Sequence, residues 1–417
     1  MTRKLWLMLA IGLIAIAAAD ARDVSVSNVA ISNVNAGAGT ADITYHLSRT
    51  IPTISTDQPI WIFVKYRLST DDDFTGWQDT DDYDPANDAS DNNVDVRTNT
   101  VNANLTGDVG IVGRDGEKTI TWTWGGNGIS LLSADSVRVR VYAIEMVKVG
   151  GGNFTVKEDV TANNRLMGTT QHSANDYYLE KYPTTARRYK DFLNACANRH
   201  DPGASSTHQF YRADQLQVNQ NKDGSLTMSG TVGTDAQWDT YSVPNDDQAD
   251  RPIVYVSWYN AYDYAAWAGL NLPEEEHWYK VAGESVGTGP AVSDWYWGNT
   301  EPSRDLCNYN WHVSHATDVN DYESAVDSTD GGNVYGAYEL SGNVWEWLDT
   351  KWYSNGVAIA TPYDASQGPT KYSGTSARLL RGGSCCLRDY NMRAATRGYN
   401  ASTSAIFNYG FRCALMP

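Results

Sequence analysis

The C-terminal end of this chain constrains its fold more than any other stretch. Residues 381–384 read R-G-G-S and residues 410–413 read G-F-R-C, so two short motifs frame segment 385–409. A third motif, G-N-V-W-E-W, occupies residues 342–347. Arginine side chains are planar forks that suit loop carbonyls and carboxylates inside a domain. We therefore predict structural rather than catalytic roles for four arginines: Arg381, Arg393, Arg397 and Arg412.

Two upstream segments predict helices. Residues 177–195 have the pattern of an extended lead-in followed by a helix, with Thr184 placed to cap it. Residues 251–283 have the pattern of a strand followed by two helices. Ser257 is placed to cap the first of these helices and Gly269 to end it.

In this order, the motifs over residues 148–414 resemble the formylglycine-generating-enzyme (FGE) family, also called the sulfatase-modifying-factor family. The resemblance implies an α+β variant of the C-type lectin fold with much irregular structure. Catalytic members hold copper(I) between two cysteines, three and eight residues after the serine of R-G-G-S; here Leu387 and Met392 occupy those places. The resemblance therefore implies a non-catalytic-type member with no catalytic residue, and copper is not expected.

The alternative interpretation is that the protein is an enzyme. It is a divergent copper-dependent oxidase of the formylglycine-generating type, with sulfatase-modifying-factor activity, whose thiols are Cys385 or Cys386 together with Cys413. Adjacent side chains in an extended chain point to opposite faces, which disfavours Cys385 and Cys386 as a facing pair. Three states of these two cysteines stay open: a vicinal disulfide or disulfides to other loops, reactive thiols, or a metal site. The total of five cysteines is odd, so at least one thiol is left over unless it pairs between chains.

The resemblance also implies two structural calcium ions that brace long loops. Carboxylate, amide and carbonyl oxygens are the ligands that this hard cation prefers. The ligands implied for one ion are Asn308, Tyr309, Asp318 and Asn320. Those implied for the other are Glu339, Gly342, Val344 and Glu346. For Glu346 the alternative is a carboxylate buried against backbone amides.

The N-terminal part predicts export and a β domain. Residues 1–21 have the basic tip, short apolar stretch and small-x-small cleavage site of a secretory signal peptide; an uncut membrane anchor is the alternative. Residues 22–147 contain alternating or apolar runs between turn residues, which predict an all-β immunoglobulin-like or fibronectin-III-like sandwich. The FGE-type domain then occupies residues 148–417. An aspartate-rich segment, 71–95, is predicted to be a solvated loop rather than a calcium-binding one.

Charge and aromatic content favour a binding protein. A net charge of −18 opposes nucleic acid and anionic lipid at long range, and no later segment is long and apolar enough to span a membrane. Fifteen Trp and twenty-six Tyr beside seven Phe suit surfaces that bind proteins or glycans. We therefore predict a secreted, periplasmic or cell-surface module that binds a protein or glycan ligand through its C-terminal domain. Its N-terminal sandwich would be free to dock to a cell surface.

The candidate binding surface lies in segment 385–409. This segment is rich in Asn, Tyr, Asp, Ser, Thr, Ala and Cys. Such a composition resembles the variable region of proteins diversified by retroelements, where adenine-directed mutation scatters Asn codons into these residue types. Ordinary drift in a non-catalytic member is the alternative. The candidate surface residues are Cys385, Cys386, Leu387, Arg388, Asp389, Tyr390, Asn391, Tyr399, Asn400, Phe407 and Tyr409.

Overall fold

The computed structural model describes twelve stretches of the chain: residues 24–35, 37–49, 59–68, 78–79, 105–123, 137–155, 171–196, 251–283, 295–296, 306–309, 333–351 and 377–416. The predicted signal peptide lies outside these residues, and so does the aspartate-rich segment apart from residues 78–79. Two of the implied calcium ligands, Asp318 and Asn320, also lie outside them. Within the described residues, no helix combines the length and apolarity needed to cross a membrane.

The N-terminal part is built of strands, as the alternating pattern predicts. They are β1 (Val24–Asn35), β2 (Thr40–Arg49), β3 (Ile60–Leu68), β4 (Gln78–Asp79), β5 (Leu105–Gly107), β6 (Gly110–Val112), β7 (Gly116–Thr123) and β8 (Val137–Val149). One sheet has the order β1-β2-β7-β5, and β3, β4, β6 and β8 belong to a second sheet. Every second residue of β2 from Ala41 to Leu47 is buried, the period of a strand with one face on a core. Side chains from both sheets form one hydrophobic cluster. This part is therefore β-rich, and its immunoglobulin-like topology stays a prediction.

The C-terminal part mixes short strands and helices with much irregular chain, as the resemblance implied. Its strands are β9 (Gly152–Thr155), β10 (Gln171–Ala174), β11 (Tyr177–Glu180), β12 (Trp345–Lys351), β13 (Ala377–Arg381), β14 (Gly398–Ala401), β15 (Tyr409–Gly410) and β16 (Ala414–Leu415). Its helices are α1 (Ala186–Cys196), α2 (Trp258–Trp267), α3 (Glu275–Gly283) and a 3-10 turn (Asp389–Met392). Strands β14-β13-β12-β15 form one sheet, in which β12 and β15 run parallel.

Strand β8 joins the two parts. Its first nine residues pair with β3, and its last four pair with β11 in the same sheet. The predicted domain boundary between residues 147 and 148 therefore falls inside a strand. Trp61 in β3 donates a hydrogen bond from Nε1 to the carbonyl of Ala268 at 2.7 Å, just after α2. The rings of Phe63 and Trp267 also meet edge to face, with their centroids 5.1 Å apart. Strands and helices of the two parts thus share a core.

One helix cap is confirmed and one is wrong. Ser257 caps α2 through a capping box, in which its Oγ accepts from the backbone N of Asn260 at 3.2 Å. At α1, the Thr184 hydroxyl instead donates to the Glu180 carboxylate at 2.8 Å. Thr185 provides the oxygen that accepts from the backbone N of Arg188, at 3.4 Å. The prediction missed by one residue because the buried Glu180 competes for the first hydroxyl.

Candidate functional site

The R-G-G-S motif forms the turn that leads from β13 into segment 385–409. Gly383 has a φ of 75°, and a Cβ there would lie 2.6 Å from the carbonyl oxygen of Asn391 and 2.3 Å from the Met392 side chain. An L-residue would be strained by the dihedral angle and would also clash with backbone. Glycine is therefore required where the two ends of this segment's first loop touch.

Buried arginines tie this region together, which confirms the structural role predicted for three of the four. Arg381 and Arg397 both donate to the carboxylate of Glu275, and all three side chains are buried. Arg412 pairs with Glu346 through two hydrogen bonds of 2.7 and 2.8 Å. The fourth, Arg393, lies over the ring of Trp295 at 5.8 Å.

Between these anchors, the chain presents side chains to solvent. Three large hydrophobic residues of segment 385–409 are well exposed: Tyr390 by 52%, Tyr399 by 48% and Ile406 by 38%. Among the other candidate surface residues, Arg388 and Asp389 are exposed, and Cys386, Leu387, Asn391, Asn400 and Phe407 are partly exposed.

Two candidate surface residues are buried, so their assignment to the surface is corrected. Cys385 is fully buried because its backbone N–H donates inward to the carbonyl of Asn343 at 2.9 Å. Tyr409 is 8% exposed because it lies in β15, where its ring packs edge to face on Trp347. The Tyr409 hydroxyl accepts a hydrogen bond from Nδ2 of the partly exposed Asn400 at 3.0 Å.

The two places where the family resemblance implies copper-binding cysteines are apolar here. Met392 is fully buried against a hydrophobic cluster, and Leu387 packs on the same cluster. The alternative pair, Cys386 and Cys413, has two separate environments. Cys386 lies near Ser384 and Asn408, whereas the buried Cys413 lies beside Glu180 and Thr184. Burial, followed by the Glu180 charge, raises the pKa of the Cys413 thiol well above its usual range.

Four of the five cysteines have described side chains, and these four are thiols rather than disulfides: Cys307, Cys385, Cys386 and Cys413. The vicinal disulfide considered for Cys385 and Cys386 is therefore not present in this structure.

The implied calcium ligands that the structure describes separate into one set that fits and one residue, Glu346, that does not. Glu339 is a buried carboxylate whose charge adds to burial in raising the pKa values of Cys307 and Tyr296. Its loop lies against residues 306–309, because Asn343 donates to the carbonyl of Asn308 at 2.9 Å. A Cβ on Gly342 would lie 2.5 Å from that same oxygen, so the two loops touch.

The Ser341 hydroxyl, next to these groups in sequence, is fully buried and has no hydrogen-bond partner among the described residues. Glu339 and Asn308 are both buried on loops that touch, and a carboxylate, an amide and carbonyls are ligands that suit a calcium ion. Tyr309 is partly buried in the same short loop, and Val344 is fully buried. Glu346 does not fit as a ligand, because its oxygens already accept from Arg412 and from Trp278 Nε1.

A sequence model of the FGE-sulfatase family, described as the sulfatase-modifying factor enzyme 1-like domain, matches residues 134–416. The chain belongs to this family. The match begins just before β8, so the family domain includes the strand that joins the two parts of the molecule.

Relatives of this FGE-sulfatase member include proteins named as formylglycine-generating enzymes and a protein named as an inactive form. The formylglycine-generating enzyme of Thermomonospora curvata is 34% identical over 194 residues, 44% of this chain and 62% of that enzyme. That of Streptomyces coelicolor is 31% identical over 290 residues, 64% of this chain and 88% of that enzyme. The inactive C-alpha-formylglycine-generating enzyme 2 of Bos taurus is 27% identical over 290 residues, 65% of this chain and 88% of that protein.

Among solved structures, Treponema denticola variable protein 1 superposes with a TM-score of 0.42 and 18% identity. The superposition covers 66% of this chain and 96% of that one.

Proposed function

We propose that this chain is a secreted or cell-surface binding protein, in which segment 385–409 forms the contact surface for a protein or glycan ligand. The observation that carries the proposal is the arrangement of this segment. Buried ion pairs hold its two ends, while Tyr390, Tyr399 and Ile406 between them face solvent. Amphipathic aromatic side chains suit such a surface, because they offer large contact area at low entropic cost.

We further propose that this segment is diversified between copies of the gene. Its composition supports the idea, because short polar residues and tyrosines alternate with buried framework residues. A scaffold whose loops are held from beneath tolerates exchange of the exposed side chains. The β-rich N-terminal part, with its predicted immunoglobulin-like topology, would dock the protein to a cell surface.

The proposal also includes one structural calcium ion in the C-terminal part. Glu339 and the Asn308 amide would hold it together with nearby backbone carbonyls, and the ion would supply only structural bracing. Such a role suits a domain in which the described strands and helices are short and the connecting chain is long. At the implied oxidase positions, Leu387 has no metal-binding atom, and Met392 has a buried thioether in place of a thiolate.

The oxidase alternative is tested with copper. We expect the reduced full-length protein, given one equivalent of Cu(I) and oxygen, to leave a cysteine-containing sulfatase-motif peptide unchanged in mass spectra. The reason is that, among the described residues, the thiol beside Cys386 is that of its chain neighbour Cys385, while the two places implied for a facing cysteine pair hold Leu387 and Met392. Conversion of the peptide cysteine to an aldehyde, with loss of that conversion in Cys386→Ala, would instead establish the enzyme and remove the binding proposal.

A further inference from the structure

The two adjacent cysteines of segment 385–409 have different environments. The backbone N–H of Leu387 donates to the carbonyl of Ser384 at 3.0 Å, which closes a turn with both cysteines at its centre. Cys385 points inward and is fully buried, whereas Cys386 is partly exposed. The turn therefore presents one sulfur to solvent and keeps the other beneath it.

Hydrogen-bond donors converge on the exposed sulfur. Asn408 Nδ2 lies 3.2 Å from Cys386 Sγ, and Ser384 Oγ lies 3.3 Å from it. The Cys385 thiol also donates to Cys386, and this bond is the largest cause that lowers the pKa of Cys386 to about 6, against the opposing effect of burial. Donors that stabilise a thiolate make a cysteine nucleophilic near neutral pH.

The Asn408 side-chain amide is held in place, and its oxygen accepts no hydrogen bond from the described residues. Asn408 is 5% exposed, and its backbone carbonyl accepts from Trp345 at 2.8 Å. Its Nδ2 also donates to Ser384 Oγ at 2.8 Å, so the amide is held toward the sulfur. The other atom of the same amide, Oδ1, is buried and accepts no hydrogen bond from the described residues. An incoming group that carries an N–H next to its reacting atom would satisfy it.

We propose that Cys386 is a nucleophilic thiol that exchanges with peptide disulfides, and that Cys385, Ser384 and Asn408 position and stabilise its thiolate. In the step, the Cys386 thiolate attacks one sulfur of the disulfide and forms a new S–S bond. The old S–S bond breaks, and the second sulfur leaves as a thiolate that takes a proton from water. The peptide disulfide is the oxidant, so the electrons balance without another reagent. This exchange reaction is separate from ligand binding and does not depend on it.

Oxidised glutathione is a suitable probe, because it is a disulfide whose peptide N–H groups lie near the sulfur. We expect the reduced full-length protein at pH 7 to gain one glutathionyl group, found at Cys386 after digestion, and Cys386→Ser to gain none there. Cys385→Ala should slow the reaction at pH 7 by about tenfold or more, since less of Cys386 would be thiolate. Cys385→Ser, which keeps a donor, should retain most of the rate.

The pH profile separates this role from a packing role. Alkylation of Cys386 by iodoacetamide should follow a midpoint near 6 in the wild type, as the lowered pKa requires. The midpoint should rise toward the ordinary thiol value in Cys385→Ala and in Asn408→Leu. Among the described residues, the titratable groups that face the sulfur are Cys385 and Tyr409, and the pKa of Tyr409 is itself raised by burial and by Cys386. A wild-type midpoint near 9, or modification no faster than that of Cys386→Ser, would overturn the proposal.

Discussion

Replacing Glu275 with glutamine is expected to cost about 3–5 kcal/mol of unfolding free energy, because two buried arginines lose their counter-charge. Glu275 is fully buried and accepts from Arg397 through both carboxylate oxygens, at 2.6 Å each. Arg381 donates to the same carboxylate, and burial followed by the charge of Arg397 lowers the pKa of Arg381 against the raising effect of Glu275. Without Glu275, the two like charges would face each other in a dry environment. Urea unfolding of the purified variant measures the loss.

Two further variants make this test specific. Glu276→Gln, one residue along α3, removes a partly exposed carboxylate and should change the unfolding free energy by only about 0.5 kcal/mol. Adding Arg397→Met to Glu275→Gln removes one stranded charge and should recover part of the stability. A Glu275→Gln protein as stable as wild type, or a double variant less stable than the single, would show that the ion cluster does not hold this region together.

Glu346→Gln is expected to destabilise the protein by a similar amount, about 3–5 kcal/mol, for the same physical reason. Its carboxylate pairs with Arg412, whose guanidinium also donates to the carbonyls of Glu180, Lys181 and Tyr338. This one side chain therefore links three parts of the chain, and glutamine leaves its charge buried. Thermal unfolding in EDTA measures the cost, and Glu346→Asp is the control that keeps the charge.

The effect of calcium on thermal stability distinguishes Glu346, which pairs with Arg412, from Glu339, the proposed calcium ligand. A resident ion would add about 2.7 kcal/mol at a concentration one hundred times its Kd. Calcium chloride should therefore raise the Tm of the wild type and of Glu346→Asp, but not that of Glu339→Gln. The opposite pattern, with the calcium effect lost at Glu346 and kept at Glu339, would show that Glu346 rather than Glu339 holds the ion. No calcium effect on the wild type would remove the proposed ion.

Much of the fold could be predicted because its determinants are local. The alternation in β2 and the capping box at Ser257 depend on neighbours within a few residues. The roles of Arg381, Arg397 and Arg412 followed from their residue type and the loop-rich family pattern. Their partners could not be predicted, because Glu275 lies 106 residues from Arg381 in sequence.

Other features needed three-dimensional information. The boundary at residue 147 was placed by a glycine run, yet β8 pairs on both sides of it. The burial of Cys385 and the approach of Asn408 to Cys386 depend on two turns that meet across 22 residues. A sequence signal was available for the second feature, since the segment is rich in asparagine, but it does not say which amide meets the sulfur.

Sequencing of the 3′ end of the gene across the native population tests the proposed contact surface most directly. We predict substitutions confined to codons 385–409, concentrated at exposed positions such as Asp389, Tyr390 and Tyr399. The framework at residues 381–384 and 410–413 should be fixed, because its buried arginines hold the segment in place. An invariant 3′ end, or substitutions spread evenly along the gene, would contradict a diversified binding surface.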